Sequence, residues 1–204
     1  MIKPFINGFS MLDIGCSGGY FLSIAAEHGF SVNGVGPNVA ESDYASKHGI
    51  NILGSTISDL SERKRFDVIT LWDVLEHIRE PVSYLKRLKS HLNENSLVFV
   101  QIPSSDSLAA RIMRGACNMF DGIEHLTLFS AHSLDVAFKK AGYTRLDSQS
   151  IISEMHVLQN FLDYEVDPYL ANPEVRLETK FLSPEIIESS GFGYKIQAVY
   201  SANQ

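Results

Sequence analysis

Two groups of residues in this chain have the types and spacing that chemistry needs. The first is a glycine-rich run at residues 13–21, which reads Asp-Ile-Gly-Cys-Ser-Gly-Gly-Tyr-Phe. Glycines allow a tight turn and a close approach of the backbone to a ligand. A helix that follows such a run offers unpaired N–H groups suited to a carboxylate or a phosphate. Asp13 disfavours a pyrophosphate at this turn and favours a ligand that carries an amine.

The second group contains acidic and histidine side chains. Glu76 and His77 follow Asp73 by three and four residues, so a helical turn would place both on one side. Glu124 and His125 come later in the chain. Histidine titrates near neutral pH and carboxylates accept protons, so this group could supply a general base.

The elements that must position both groups follow from an alternation of short apolar runs with helical patterns. The predicted strands cover residues 10–15, 31–35, 50–53, 66–72, 96–102, 144–152 and 194–201. The predicted helices cover residues 18–28, 39–48 and 130–140, and one more begins near Pro81. Such alternation favours a parallel, doubly wound α/β sheet, in which ligands bind beyond the carboxyl ends of the strands.

Two segments depart from the alternation. Residues 104–129 form a long excursion after the fifth strand, and residues 154–190 separate the last two strands. Long excursions inside a compact domain are more often substrate covers or subunit contacts than idle loops. A chain of 204 residues suits one domain. We therefore expect a single domain over residues 1–204, with a cover or interface at 104–129 and an insertion at 154–190.

Composition excludes several classes of protein. Hydrophobic residues make up 45% of the chain and charged residues 20%, which is typical of a globular protein and not of a disordered chain or a coiled coil. The chain has a net charge of −7, whereas a general nucleic-acid binder has a positively charged surface. The chain shows neither an apolar run of the roughly 20 residues that a membrane span needs nor a signal peptide. With two cysteines and no disulfide framework, we expect a cytoplasmic protein without nucleic-acid or membrane partners.

The glycine run resembles the first motif of class I S-adenosylmethionine-dependent methyltransferases, D-x-G-x-G-x-G. Residues 66–78 resemble the fourth-strand segment of that family, and residues 124–130 with the helix after them resemble a later segment. In this order the three segments are similar, over residues 10–152, to the small-molecule branch that includes ubiquinone-pathway O-methyltransferases. The resemblance implies a Rossmann-like, mostly parallel seven-stranded sheet with an antiparallel last strand and helices on both faces.

The resemblance also implies a function and a cofactor. The function is methyl transfer from S-adenosylmethionine to an O, N or C atom of a small-molecule acceptor. In the family the glycine loop holds the methionine part of the cofactor, and residues after the second and fourth strands contact the remainder. The cofactor-binding residues implied for this chain are Asp13, Gly15, Cys16, Ser17, Gly19, Tyr20, Phe21, Gly36, Pro37, Asn38, Leu71, Trp72 and Asp73.

Two positions depart from the family pattern. Ser17 replaces the second motif glycine, and Gly36 stands where the family usually carries an acid that grips the ribose hydroxyls. Loss of that acceptor would cost on the order of 1–3 kcal/mol of binding, and Asn38 could substitute for it. The alternative is a degenerate, non-catalytic domain that binds a ligand or a partner. The early start of the first strand also favours this alternative, because family members usually carry helices before it.

The catalytic candidates are His77 and His125. Methyl transfer needs alignment of the acceptor, methyl and sulfur, and it needs a base only when the acceptor is protonated. In related methyltransferases an acidic-x-x-Glu-His pattern, here Asp73 to His77, can ligate a divalent metal, with His125 as a further ligand. The interpretation that we favour has no metal, and Glu76 and His77 hydrogen-bond to neighbouring loops instead. Besides the small-molecule substrate, a second copy of the chain is a candidate partner.

Overall fold

A computed structural model of the chain describes residues 1–151 and 183–202. Most of the insertion expected at residues 154–190 lies outside the described residues. In the described parts of the chain, no helix has the length and apolar character needed to cross a membrane.

The described residues contain a seven-stranded sheet with the order β3-β2-β1-β4-β5-β7-β6. The strands are β1 Ser10–Ile14, β2 Ser31–Val35, β3 Asn51–Ile52, β4 Phe66–Trp72, β5 Leu92–Pro103, β6 Tyr143–Ile151 and β7 Lys195–Ala202. The first five strands are parallel to one another, and β7 is antiparallel to both β5 and β6. The predicted fold class is confirmed, including the antiparallel last strand.

Helices pack against both faces of this sheet. They are α1 Tyr20–Glu27, α2 Val39–Lys47, α3 Pro81–Lys89, α4 Leu108–Met113, α5 Ala131–Lys140 and α6 Pro184–Ser189. A hydroxyl caps α5 as expected, since Ser130 Oγ accepts a hydrogen bond from the Ser133 N–H at 3.1 Å. Helix α4 lies inside the excursion at residues 104–129.

The alternation of side chains along β4 divides the interior into two cores. Ile69 and Leu71 lie in the main core with Leu85 and Leu88 of α3, while Val68 belongs to a separate core with Leu22 of α1. Each strand residue faces the side opposite to its neighbour. This rule decides which residues at the end of β4 can reach a ligand.

Gly34, a buried glycine in β2, sets the position of the glycine-rich run. A Cβ atom at Gly34 would lie 2.5 Å from Cys16 Sγ and 3.1 Å from Ile52 Cδ1. The N–H groups of Gly15 and Cys16 both donate to the Val35 carbonyl, at 2.8 and 3.1 Å. The run can therefore lie close to the end of β2 because β2 carries no side chain at Gly34.

We predict that Gly34→Ala will push Cys16 and the glycine-rich run away from β2. Overpacking of this kind destabilises a protein by about 1–3 kcal/mol. The measurement is the free energy of unfolding in urea. Gly115→Ala is the matched control, because a Cβ at Gly115 meets no atom within 4 Å, and its effect should stay below about 0.5 kcal/mol. Equal stability of the two variants would contradict the role given to Gly34.

Candidate functional site

A cavity of about 220 Å³ opens at the carboxyl ends of β1, β2 and β4. Here β1 lies between β2 and β4, so the chain leaves in opposite directions on the two sides, and a crevice forms. The cavity is lined by Gly15, Ser17, Gly36, Pro37, Asn38, Glu41, Ser42, Trp72, Asp73 and Val74. Seven of these residues belong to the cofactor site implied by the sequence, whereas Glu41, Ser42 and Val74 do not.

The glycine-rich run enters this cavity in a left-handed backbone conformation. Gly15, Ser17 and Gly19 have φ angles of 74°, 48° and 80°. A Cβ at Gly15 would lie 2.7 Å from Val74 Cγ2 on the opposite wall, so only glycine fits there. The N–H groups of Ser17 and Gly18 have no hydrogen-bond partner among the described residues, and they remain free for a carboxylate.

Six residues of the implied cofactor site do not line this cavity: Asp13, Cys16, Gly19, Tyr20, Phe21 and Leu71. Leu71 is fully buried in the main core, because it faces the side of β4 opposite to Trp72. Tyr20 is 81% exposed to solvent. Phe21 packs on the Trp72 ring, with the ring centroids 5.0 Å apart, so it supports the wall from behind.

Asp13 does not present the expected negative charge to a ligand. It is only 3% exposed, and its Oδ1 accepts a hydrogen bond from Thr70 Oγ1 at 2.6 Å. Burial raises the pKa of Asp13 from 3.8 to about 7, against the opposing effect of the Thr70 hydroxyl. Asp13 therefore supports the turn from inside the protein and carries a proton in about half of the molecules near neutral pH.

Asn38, which the sequence offered as a substitute acceptor for the ribose hydroxyls, is engaged elsewhere. Asn38 Oδ1 accepts hydrogen bonds from the N–H groups of Ala40 and Glu41, at 3.0 and 3.3 Å, and so caps α2. This oxygen is committed to the helix and is not available to hydroxyl donors. The Glu41 side chain lies in the first turn of α2 and lines the cavity beside Gly36. The motif pattern did not indicate Glu41, because this residue lies in α2 and not directly after β2.

A second cavity, of about 440 Å³, lies beyond β4 and β5 and meets the first at Asp73, which lines both. Its lining consists of Asp73, Glu76, His77, Pro103, Asp121, Glu124, His125, Tyr194 and Lys195. The structure therefore brings together the acidic and histidine residues that the sequence grouped. Asp121, Glu124 and His125, from the excursion at residues 104–129, line this cavity.

Backbone contacts fix both histidines in one orientation. His77 Nδ1 lies 2.8 Å from the Glu124 carbonyl, and His125 Nδ1 lies 3.1 Å from the Met119 carbonyl. Since a carbonyl oxygen only accepts, each Nδ1 carries the hydrogen. In the neutral rings each Nε2 is then free to accept a proton or to bind a metal.

Glu76 is a buried carboxyl group without compensation. It is 2% exposed, and neither carboxyl oxygen has a hydrogen-bond partner among the described residues. Burial raises the pKa of Glu76 to about 8, and Asp73 adds to the rise while Lys195 opposes it. Only the main-chain oxygen of Glu76 binds the neighbouring loop, at Leu126 and Thr127.

Ligand atoms of Glu76, His77 and His125 converge. One ligand atom from each side chain lies within 4.8 Å of the other two. One carboxylate and two imidazoles form a mixed set that suits a divalent transition metal. His77 does hydrogen-bond to a neighbouring loop, as the metal-free interpretation expects, whereas the Glu76 carboxyl group does not and is open to a ligand.

Lys195 is the functional candidate that the motifs missed. Its Nζ lies 2.5 Å from Asp73 Oδ2, and Gln101 Nε2 donates to the same oxygen at 3.0 Å. Asp73 itself has a φ angle of 53°, a left-handed conformation that is uncommon outside glycine. No local pattern links Lys195 to Asp73, because 122 positions separate them.

Comparison with known protein families gives one extended match. The family described as "Methyltransferase domain" matches residues 4–148. The ubiquinone biosynthesis O-methyltransferase of Rickettsia felis is 31% identical over 101 residues, which cover 47% of this chain and 41% of that protein. The enzyme of the same name from Actinobacillus pleuropneumoniae serotype 7 is 31% identical over 104 residues, covering 45% and 44%. The matches thus span less than half the length of these curated relatives.

Solved structures share the fold. A SAM-dependent methyltransferase from Archaeoglobus fulgidus has a TM-score of 0.66 and 17% identity, over 98% of this chain and 88% of that one. A SAM-dependent methyltransferase from Thermotoga maritima, described as a possible histamine N-methyltransferase, has a TM-score of 0.68 and 17% identity, over 99% and 86%. At these identities the likeness confirms the architecture expected from the sequence.

We predict that Asp13→Asn will flatten the dependence of stability on pH. Between the unfolded pKa near 3.8 and the folded pKa near 7, native Asp13 keeps a proton that the unfolded chain releases. Stability from this group is therefore lost as the pH rises through that window. From about pH 5 to about pH 8 the wild type should lose about 2–3 kcal/mol more than the variant.

The measurement for Asp13 is urea unfolding at both pH values. Asp43→Asn, at an exposed position on α2, serves as the control and should keep the wild-type slope. A slope that Asp13→Asn leaves unchanged would show that Asp13 is ionised in the native protein.

Proposed function

The chain belongs to the methyltransferase domain family, and we propose that it transfers a methyl group from S-adenosylmethionine to a small-molecule acceptor. The cofactor would bind in the 220 Å³ cavity and the acceptor in the 440 Å³ cavity. The observation that carries this proposal is the meeting of the two cavities at Asp73. A methyl group can pass in line from one site to the other only if they share a boundary.

The lining of the first cavity offers a partner for each polar part of the cofactor. The free N–H groups of Ser17 and Gly18 suit its carboxylate. Asp73 Oδ1, which is buried and has no partner among the described residues, can accept from its amine. Glu41 can accept from the ribose hydroxyls in place of the acid missing at Gly36. Bound there, the cofactor supplies a methyl group already activated by a sulfonium.

Methyl transfer from such a donor demands little covalent chemistry from the protein. The acceptor atom must lie in line with the methyl group and the sulfur, and water must be excluded. A hydroxyl acceptor must also lose its proton. Without a metal, His77 and His125 can receive it at Nε2. With a metal bound at these atoms, the ion would instead lower the pKa of the acceptor hydroxyl. These two histidines remain the proposed catalytic residues, and the proposed acceptor atom is O, N or C.

We predict that the protein binds S-adenosylhomocysteine, the demethylated cofactor, in the micromolar range, and that Glu41→Gln weakens this binding about tenfold. The reason is that a hydrogen bond to a charged acceptor contributes about 1.5–3 kcal/mol. Calorimetric titration measures both affinities. Asp43→Asn removes an acid from the same helix but outside the cavity, and should change the affinity by less than about twofold.

Two outcomes of this titration would count against the proposal in different ways. No binding by the wild type at millimolar concentration would overturn the methyltransferase function and favour a non-catalytic domain. The comparisons with known proteins give that alternative no support. Binding that Glu41→Gln leaves unchanged would remove only the ribose assignment.

A divalent cation in the second cavity is favoured by the convergence of Glu76, His77 and His125. These side chains would hold the ion, which supplies Lewis-acid polarisation of an acceptor oxygen. The ion would also remove the cost of burying Glu76, because its charge favours the ionised carboxylate. We therefore propose the metal-dependent form of the reaction, in place of the metal-free interpretation favoured from the sequence.

We predict that the protein binds Mn²⁺ and that Glu76→Gln and His125→Ala each weaken binding about tenfold or more, since each removes a ligand. Binding must displace the Glu76 proton, so affinity should rise with pH and level off above about 8, the pKa of Glu76. Titration followed by Mn²⁺ electron paramagnetic resonance measures this.

The control for the Mn²⁺ titration is His132→Ala, which removes an exposed histidine on α5. It should bind like the wild type. If all four proteins bind alike, the three side chains do not form the site.

The broader assignments remain part of the proposal. We propose that residues 1–204 form one methyltransferase domain, with residues 104–129 as a cover. The net charge of −7 supports a protein without nucleic-acid partners. Two buried free cysteines, Cys16 and Cys117, support a reducing, cytoplasmic location. A second copy of the chain stays a candidate partner. The insertion at 154–190 is a candidate for the contact with that copy or for a cover over the substrate.

A further inference from the structure

Lys195 occupies a buried, fixed place beside the acidic group of the second cavity. Its position at the start of β7 pairs with Pro103 of β5 and Ile151 of β6, so strands hold its backbone on both sides. The residue is 8% exposed. A buried lysine needs a charged partner, and Asp73 Oδ2 supplies one at 2.5 Å.

The second cavity is built for positive charge. Four of the lining residues are acids, and Lys195 is the only lysine or arginine among the described residues that line it. The N–H groups of Ile123, Glu124 and His125 donate to Asp121 and lower the pKa of that carboxyl group, so Asp121 stays ionised. Lys195 is thus a cation that the chain itself supplies to an acidic cavity.

Asp73 is held away from the ligand cluster by a directed set of hydrogen bonds. Gln149 Nε2 donates to Gln197 at 2.7 Å, and Gln197 Nε2 donates to Gln101 at 2.7 Å. Gln101 Nε2 then donates to Asp73 Oδ2, the same oxygen that Lys195 binds. The side-chain oxygens of Gln197 and Gln101 each accept from the preceding amide, so the Gln101 side-chain N–H group is the one that faces Asp73.

As a consequence, Asp73 and Glu76, which are close in sequence, have different partners. Asp73 precedes Glu76 by three residues and lines the same cavity, yet the converging ligand atoms come from Glu76, His77 and His125 only. Three protein ligands leave coordination positions open on a metal ion, as catalytic sites require. Asp73 as a fourth protein ligand would take one of the positions left open for an acceptor oxygen.

We propose that Lys195 is a positioning residue that withholds Asp73 from a divalent cation bound by Glu76, His77 and His125. By holding Asp73 as its own counter-ion, Lys195 keeps the ion at three protein ligands and open to the acceptor. It also keeps Asp73 at the boundary with the first cavity. This inference rests on the cation site of the proposed function.

The test uses Mn²⁺ binding to the full chain. Lys195→Met removes the like charge and releases Asp73, so Mn²⁺ affinity should rise about tenfold. Fewer water molecules should remain on the ion, which water-proton relaxation measures. Lys195→Arg keeps the charge and should bind within about threefold of the wild type. Lys47→Met, at an exposed position on α2, is the control for loss of a lysine.

The double variant Lys195→Met with Asp73→Asn isolates the role of Asp73. It removes the ion pair as a neutral unit, so affinity and bound water should return to within about threefold of the wild type. A gain that persists in the double variant would mean that Lys195 acts by repulsion alone, which overturns the inference. An unchanged affinity in Lys195→Met overturns it as well.

The outcomes separate this inference from the proposed function. Titration of S-adenosylhomocysteine on the wild type and the single Lys195 variants reports folding and the first cavity independently of the ion. Urea unfolding reports the folding of the double variant, because Asp73 lines the first cavity. If the wild type binds this ligand but no Mn²⁺, the inference and the cation site fail while the methyltransferase function stands. If Lys195→Met does not fold, two other variants serve for the test. The double variant buries no unpaired charge, and Lys195→Gln keeps a hydrogen-bond donor for Asp73.

Discussion

The tight turn after β1 is the constraint on which the rest of the site depends. The chain must leave the central strand within a few residues and begin α1, and it does so through left-handed backbone at Gly15, Ser17 and Gly19. This path is open only because β2 carries Gly34 where Cys16 packs. The turn leaves two N–H groups facing a crevice and brings Val74 against Gly15. The position of this wall of the cavity therefore depends on close packing at Gly15 and Gly34, where a side chain would clash, and not on polar contacts.

Much of this arrangement could be predicted from the sequence because its causes are local. The apolar alternation specified the strands, and glycine spacing located the turn that lines the first cavity. The residues that were wrongly assigned or missed have the same explanation, since a motif considers only neighbours in sequence. Leu71 and Trp72 are neighbours, so a motif assigns both to the cofactor, whereas the pleat of β4 places them on opposite faces. Glu41 and Lys195 were missed because a helix turn and a distant strand carry them to the site.

Buried carboxyl groups show where the fold gives up stability for function. Asp13 and Glu76 both have pKa values raised by burial, so each is a group that the interior holds in its neutral form. Thr70 satisfies one oxygen of Asp13, which makes that residue part of the framework. Nothing among the described residues satisfies the Glu76 carboxyl group. A native protein retains such an uncompensated group when a ligand compensates it. The contrast therefore assigns Asp13 to the framework of the fold and Glu76 to the ligand site.

Asp73 links the charge balance of the two cavities. On the proposed function, its free Oδ1 faces a ligand that is cationic before transfer, while its Oδ2 is neutralised by Lys195. Transfer moves the methyl group to the acceptor, leaves a neutral thioether in the first cavity and releases the proton of a hydroxyl acceptor. The attraction between Asp73 and the sulfonium charge is lost in that step, whereas the hydrogen bond from the amine to Asp73 Oδ1 remains. The same carboxylate therefore favours binding of the charged donor over its neutral product, which promotes turnover without any movement of the fold.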